Sequence, residues 1–483
     1  MYDWSDEQKT LFNTALETTA TGEFVHPLIK VAAVAGAAKS SSLVGLAKRY
    51  QEGTTMTYLV FGNANAQEAR ESFGTLAKVS TLHALAYHYI FRKYSFPIRK
   101  DIAPFISWRD IPKDIKIPFG KTPLVTNLLS RFFESTELSL SEFASDDDDN
   151  KDLIKPAQQI LEAMSQGKMR ITHGMYLKLF HSLIMTDEIE LEPTDVLFID
   201  EFGDVTEQTF DIFMKYPAKQ KIACGDVAQS VFKFMGCING FDRLLNKGTT
   251  LSLSKSFRVS EAIAKRVEWF GKQYLEDDFV FKGMQYPDDY EIKTTAYITR
   301  NNSALIEKMI DLNLTGTEYR LITKAKTDQL FKLPLFLLSL KQGKVFKDQE
   351  LKELQRTVDE FYEEDIQGTS VMQYVLVHNQ DNKELSKAVN ILKKYGAEDV
   401  INAKLNADKH KKSNANLILG TAFVFKGLTV DKVIISDELN KVVDNSINNI
   451  NDNDFTEDDI VNLKLYYVAC TRCRYELENA VHL

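Results

Sequence analysis

The residues best suited to chemistry in this chain are Lys39, Ser40, Asp200 and Glu201, and each pair follows a short apolar run. In residues 30–43, KVAAVAGAAKSSSL, the run Val31, Ala32, Ala33, Val34 suits a buried parallel strand. Gly36, Ala37 and Ala38 then leave so little side-chain bulk that backbone N–H groups can approach an anion closely. Lys39 stands at the expected helix start, and Ser40 and Ser41 follow with hydroxyls. This is the chemistry of a phosphate-binding loop. The N–H groups and the helix N-terminus cradle phosphates, the lysine neutralises the terminal ones, and the hydroxyl binds Mg²⁺. The pattern G-x-x-x-x-G-K-[ST] wants glycine where Ala33 and Ala38 stand. Alanine changes little at the first position. At Ala38 a Cβ crowds the turn if φ must be positive. Taken alone, the stretch also reads as a small-residue packing turn between strand and helix.

The second centre is Phe198-Ile199-Asp200-Glu201-Phe202-Gly203-Asp204. An aspartate at a strand end can hold Mg²⁺, and a glutamate beside it can polarise an attacking water. Such groups need a scaffold that ends several buried strands in one place. The sequence supplies one: strands are expected at 57–61, 196–199 and 221–223, with helices at 3–20 and 63–73. Ser5 and Gln8 have the spacing of a capping box for the first helix. Residues 80–89 read as a strand end running into a helix with His83 and His88. Residues 90–190 carry scattered prolines, helices near 124–133, 158–164 and 175–184, and an acidic run at 146–149; they read as an insertion. In the second half, strands are expected at 296–298, 319–322, 418–420 and 433–435. There the Lys/Glu-rich stretch 329–410 reads as mainly helical, and the Asn/Asp-rich stretch 444–454 as a loop. The fold class is α/β with parallel sheets and a site at the strands' carboxyl ends.

At 483 residues, 44% hydrophobic and 26% charged, the chain has the composition of an ordinary globular protein of several domains. Its net charge of −9 argues against coating nucleic acid with the whole surface but leaves room for a local basic groove. No apolar run is long enough for a transmembrane helix, and the N-terminus has acids where a signal peptide needs bases, so a cytoplasmic protein is expected. Four cysteines make no disulfide framework, and Cys470-x-x-Cys473 lacks a second pair for zinc.

Ten motifs in order, spanning residues 8 to 474, make the chain resemble a superfamily 1 helicase of the UvrD/Rep/PcrA type. Gln8 matches the family's adenine-reading glutamine. AVAGAAKSS at 33–41 matches A-x-A-G-T-G-K-T-T, and VFGNANAQEA at 60–69 is similar to T-F-T-N-K-A-A-x-E-M. STLHALA at 80–86, DEFGD at 200–204, GDVAQSVFKFMG at 225–236 and SFRVSEAI at 256–263 resemble the next four elements. ITRNNSALIEKM at 298–309, TAFVFKGLTVDKVII at 421–435 and YYVACTRCR at 466–474 resemble the last three.

The resemblance implies two RecA-like P-loop NTPase motor domains with mainly helical insertions. The first motor domain would span 1–89 and 191–257, with an insertion at 90–190; the second would span 258–328 and 411–483, with a reduced insertion at 329–410. It implies that Lys39, Ser40, Asp200 and Glu201 bind and hydrolyse Mg-ATP, that Gly36, Ala37, Ala38 and Ser41 complete the nucleotide loop, and that Gln229 senses the γ-phosphate. Phe257 would stack on the base, and Arg258 and Arg472, from across a cleft, would contact the γ-phosphate. Phe61, Asn63, Thr81, His83, Phe234 and Thr421 would line a single-strand track. The implied function is 3′ to 5′ translocation by a monomer on single-stranded DNA and single/double-strand junctions, alongside replication or repair proteins. The reduced insertion points to a compact, phage-encoded version.

Ala38, Gly203, Met235, Phe423 and Thr429 depart from the family pattern. They keep open a catalytically weakened protein that binds nucleic acid or a partner. A 5′ to 3′ Dda-like helicase and another P-loop ATPase, such as a nuclease subunit, are further alternatives.

Overall fold

The computed structural model describes residues 3–117, 120–144, 151–232, 236–342, 351–364 and 366–483. Phe234 and the acidic run at 146–149 lie outside the described residues, as does the side chain of Asn63. The chain divides into two compact units, Met1–Ser256 and Phe257–Leu483.

The strands of the first unit are β1 (Leu28–Ala33), β2 (Met56–Val60), β3 (Lys78–Thr81), β4 (Thr194–Ile199), β5 (Val205–Thr206), β6 (Ala218–Gly225), β7 (Cys237–Ile238) and β8 (Thr249–Leu253). Six of them form one sheet in the order β3-β2-β4-β6-β1-β8, with every pairing parallel. The sheet is buried on both faces, as its near-continuous apolar strands require. Along β4 the side chains alternate: Val196 and Phe198 join Val31, Tyr58 and Ile222 in one core, while Leu197 and Ile199 join Leu59 and Ala223 in the other. The first core is closed by α1 (Asp6–Leu16), α2 (Lys39–Ala47) and α3 (Asn63–Phe73), through Leu11, Phe12, Leu43, Leu46 and Phe73.

The second core runs without a break into the helical segment that interrupts the sheet. That segment holds α4 (Leu82–Tyr87), a π-helical turn His88–Lys93, α5 (Thr122–Glu134), α6 (Leu140–Ala144), α7 (Lys151–Ser165) and α8 (His173–Met185). After β4 comes α9 (Glu207–Lys215) on the same face.

The first helix, expected over 3–20, stops at Leu16, and Thr18 instead bridges Phe24. Its capping box forms as read: the Ser5 hydroxyl accepts from the Gln8 N–H, and the Gln8 side chain accepts from the Ser5 N–H.

The second unit carries a two-stranded ribbon of β9 (Lys255–Ser260) and β10 (Lys282–Met284). Its main sheet is built from β11 (Thr295–Thr299), β12 (Arg320–Leu321), β13 (Leu417–Thr421), β14 (Val430–Ile435) and β15 (Cys473–Glu478). The order is β12-β13-β11-β14-β15, again all parallel. Helices α10 (Glu261–Tyr274) and α11 (Asn302–Leu314) precede a helical segment. That segment holds α12 (Thr327–Leu330), α13 (Lys332–Lys341), α14 (Lys352–Glu363), α15 (Val371–His378) and α16 (Lys383–Lys411). Between β13 and β14 lies α17 (Ala422–Phe425), and α18 (Asp437–Asn451) and α19 (Glu457–Cys470) lead to β15.

The stretch 444–454, read from its composition as a loop, is helical as far as Asn451, in α18. Ser436 caps that helix by accepting from the Leu439 N–H at 3.1 Å, and Asp437 and Glu438 sit in its first turn. Leu439, Val443 and Ser446 form a buried stripe. Packing of that stripe outweighs the turn preference of Asn445, Asn448 and Asn451, which lie exposed on other faces. Only at Asn453, with φ +57°, does the chain turn.

Candidate active site

The phosphate-type loop leaves the carboxyl end of β1, where the neighbours in the sheet are β6 and β8. Gly36 adopts φ +75° and Ala38 φ +56°, ψ +40°. The turn therefore does demand the left-handed region at the position where the common pattern has glycine. An L-residue there costs about 1–2 kcal/mol. Ala37 is buried in the core below the loop. The Ala38 carbonyl is held twice, by the Ser42 N–H and the Ser42 hydroxyl, each at 2.9 Å. Ser42 in turn accepts from Gln8 Nε2 at 2.8 Å, and Gln8 Oε1 accepts from the Ser5 N–H at 2.9 Å. Gln8 is only 2% exposed. Both ends of its amide are thus engaged inside the protein, and it braces the loop through Ser42. Replacing Ala38 by glycine is expected to raise stability by about 0.5–1 kcal/mol, once the greater chain entropy of glycine is counted against the relieved strain. Chemical denaturation of the two proteins, followed by hydrogen exchange at residues 36–42, measures it; equal or lower stability would show that the turn carries no strain.

The strand-end carboxylates meet this loop. Ser40 Oγ donates to Asp200 Oδ2 at 3.2 Å, and the Tyr58 hydroxyl donates to the same oxygen at 2.7 Å. Asp200 Oδ1 accepts from the Glu201 N–H at 2.8 Å. Burial, and then the charge of Glu201, push the Asp200 carboxyl above the usual carboxylate range, against the pull of Lys39. Burial works against the charge on Lys39, but Glu201, Asp226 and Asp200 together hold its ammonium above its ordinary value. Glu201 is itself in the left-handed region, φ +55°. Two strained non-glycine residues, Ala38 and Glu201, therefore sit at one site, where packing must hold both in place. Tyr58 is a partner of Asp200 to which no motif pointed. Its signal was a tyrosine inside a fully buried strand, whose hydroxyl needs a partner.

Glycines let the next loops approach. A Cβ on Gly203 would lie 2.8 Å from the Asp226 carbonyl, and one on Gly225 would lie 2.8 Å from the Phe202 nitrogen. The glycine at position 203 thus has a steric basis. Asp226 accepts from the Ala228 N–H at 3.0 Å and from the Gln229 side-chain amide, which holds Gln229 at the end of β6. Asp204 accepts from the N–H groups of Val231 and Phe232 at 3.1 and 3.2 Å, tying the DEFGD loop to the Gln229 loop.

Beside the carboxylates opens a cavity of about 730 Å³. Asp200 and Glu201 line one part of it, and Phe61, Thr81 and His83 another. Phe61 is 61% exposed at the end of β2, so it does not pack in the core. Thr81 caps α4 by accepting from the Ala84 N–H at 3.1 Å. The His83 ring lies 6.0 Å from that of His173 and 6.1 Å from that of Tyr176. Burial, and then His173, hold the His83 imidazole below its ordinary value. His173 and Tyr176 belong to α8, and no motif pointed to them.

In the second unit, Phe257 is partly exposed on β9. Arg258 Nη1 donates to the Thr471 carbonyl at 3.4 Å, and Arg472 Nη2 donates to Thr471 Oγ1 at 3.2 Å. The two arginines, far apart in sequence, therefore meet at one threonine. Arg472 is 2% exposed and also donates to the Val468 carbonyl at 2.8 Å, so its guanidinium is fixed by the end of α19. Thr421 is buried at the start of α17. The Arg300 guanidinium lies 5.0 Å from the ring centre of Phe423. Cys470 and Cys473 are buried free thiols, and the Cys473 Sγ–H donates to the Cys470 carbonyl at 3.0 Å. Among the described residues no group of three His, Cys, Asp or Glu could hold a metal.

The chain is similar to DNA helicases. It is 23% identical over 492 residues to F-box DNA helicase protein 1 of Schizosaccharomyces pombe, covering 93% of this chain and 55% of the relative. It is 25% identical over 283 residues to F-box DNA helicase 1 of Gallus gallus, covering 53% of this chain and 26% of the relative. The chain thus spans about half or less of the relatives it matches. No known family profile matches it. The solved PRRSV helicase covers 93% of this chain and 51% of its own, at 9% identity and a TM-score of 0.32, a likeness too distant to argue from. The α/β architecture with two parallel sheets is read from the structure itself and is consistent with two RecA-like domains. Among the described residues no helix is long and apolar enough to cross a membrane.

A Mg²⁺-nucleotide fits the donor set of the first unit. A hydroxyl and a carboxylate, Ser40 and Asp200, stand 3.2 Å apart beside an ammonium, Lys39, at a helix start. One hydroxyl and one carboxylate suffice for a cation that takes its other ligands from phosphates and water.

Proposed function

We propose that this chain is an ATP-dependent helicase of superfamily 1, UvrD-like, which translocates 3′ to 5′ on single-stranded DNA and unwinds duplex. One observation carries the reading: Lys39 and Ser40 meet Asp200 and Glu201 at the edge of a cavity that Phe61, Thr81 and His83 also line. Lys39 and the loop N–H groups would hold the phosphates, and Ser40 and Asp200 the Mg²⁺, which when bound neutralises phosphate charge. Glu201 would orient and deprotonate the attacking water. Phe257 keeps the base-stacking role that the resemblance gives it, and Arg258 and Arg472 their γ-phosphate roles. Asp204 links the carboxylate loop to Gln229, so a strand in the cavity and a phosphate on the loop would act on the same backbone. The similarity to two DNA helicases supports DNA as the track.

The strained Ala38 favours a second reading, a helicase-fold protein that binds DNA but barely hydrolyses ATP. ATP hydrolysis with and without single-stranded DNA separates the two. The motor predicts strong stimulation. Tight DNA binding with no turnover in either condition would select the binding module.

A further inference from the structure

Residues 94–117 cross the helical part of the first unit with no helix or strand of their own beyond one bridge, Ala103 to Thr172. The segment is nevertheless well anchored. The Ala103 N–H donates to the Ile171 carbonyl at 2.8 Å, and Ile98, Ala103 and Ile106 are buried. Arg170 grips Asp110 through two hydrogen bonds of 3.1 and 2.8 Å. Between these anchors two large aromatic residues point outward, Phe105 at 65% and Trp108 at 68% exposure. Exposed aromatics on a fixed backbone mark a contact surface. The same strap carries exposed cations, Lys100, Arg109, Lys113 and Lys116. The acids nearby are largely spent, because Arg99 takes Asp101 at 2.6 Å and Arg170 takes Asp110, leaving Asp114. The Arg109 guanidinium lies 5.4 Å from the Trp108 ring centre, so a flat cation and a flat ring share one spot. All this stands on a chain of net charge −9.

We infer that the outer face of this strap, carried by Phe105 and Trp108, is a second binding surface for single-stranded DNA; neither aromatic lines the cavity beside the carboxylates, which the strap reaches through Ile102. Aromatic faces serve unpaired bases, which a duplex keeps stacked, and the four cations serve the backbone between them. The inference rests on DNA as the substrate but not on ATP turnover. It names residues outside every motif of the resemblance.

The test uses the full chain and the anisotropy of labelled oligo(dT), with a blunt duplex of equal length in parallel. Phe105→Ala with Trp108→Ala should weaken oligo(dT) binding about tenfold or more and leave the DNA-free ATP hydrolysis unchanged. Trp108→Phe should keep most of the affinity, since a ring remains. Lys100→Ala with Lys116→Ala should flatten the salt dependence, by about 0.7 per lysine in the slope of log affinity against log salt. Unchanged affinity and slope in these variants would overturn the proposal, and so would an equal loss for the duplex. If the chain hydrolyses no ATP while oligo(dT) binding still depends on Phe105 and Trp108, the motor reading fails and the strap stands.

Discussion

Lys39→Ala is expected to lower ATP hydrolysis by about 10³-fold or more, because one preorganised cation facing the transferred phosphoryl group is lost. The structure adds a reason beyond the motif. Lys39 is the ammonium among Glu201, Asp226 and Asp200, and its own proton is held tightly by all three. Without it, those acids repel one another and the phosphates as well. Nucleotide binding should therefore fall together with turnover, while DNA binding to the strap and to the cavity's Phe61 stays near normal. Steady-state hydrolysis and nucleotide titration measure the two effects. Near-normal turnover would show that the loop does not face the phosphates.

Glu201→Gln should act differently. Glutamine keeps the size of the side chain and leaves the backbone contact to Asp200 Oδ1 in place, but it cannot take a proton from water. Turnover should drop by about 10²–10⁴-fold with little change in nucleotide affinity. Turnover that collapses while nucleotide affinity holds is the expected signature. Parallel loss of nucleotide affinity and turnover would make Glu201 a structural residue and leave the water without a base.

Much of this was written in the chain's local pattern. Apolar runs ending in Lys39-Ser40, in Asp200-Glu201 and in Gly225-Asp226 each announce a buried parallel strand with polar groups at its end, and the structure has β1, β4 and β6 in those places. Burial on both faces imposes long apolar runs, so such strands are legible. The Ser5–Gln8 capping box was equally local, and it forms. Even the doubt at Ala38 followed from residue type alone, since only the absence of a Cβ makes a left-handed turn easy, and φ there is +56°.

What composition misread was α18. A count of turn-forming residues carries no record of the helix face each would occupy, and packing decides that. Other features rest on contacts between residues remote in sequence, which no local pattern encodes. The Tyr58 hydroxyl on Asp200, the Gln8–Ser42–Ala38 brace and the close approach of Gly203 to the Asp226 carbonyl are of this kind. So are the meeting of Arg258 and Arg472 at Thr471 and the outward Phe105 and Trp108 on an anchored strap. The sequence by itself determined which groups could do phosphate chemistry and the strands that carry them, because burial and backbone geometry act over a few residues. Only the tertiary structure decided which of those groups share a proton, a turn or a surface, because charge, hydrogen bonding and exposure depend on distance in space.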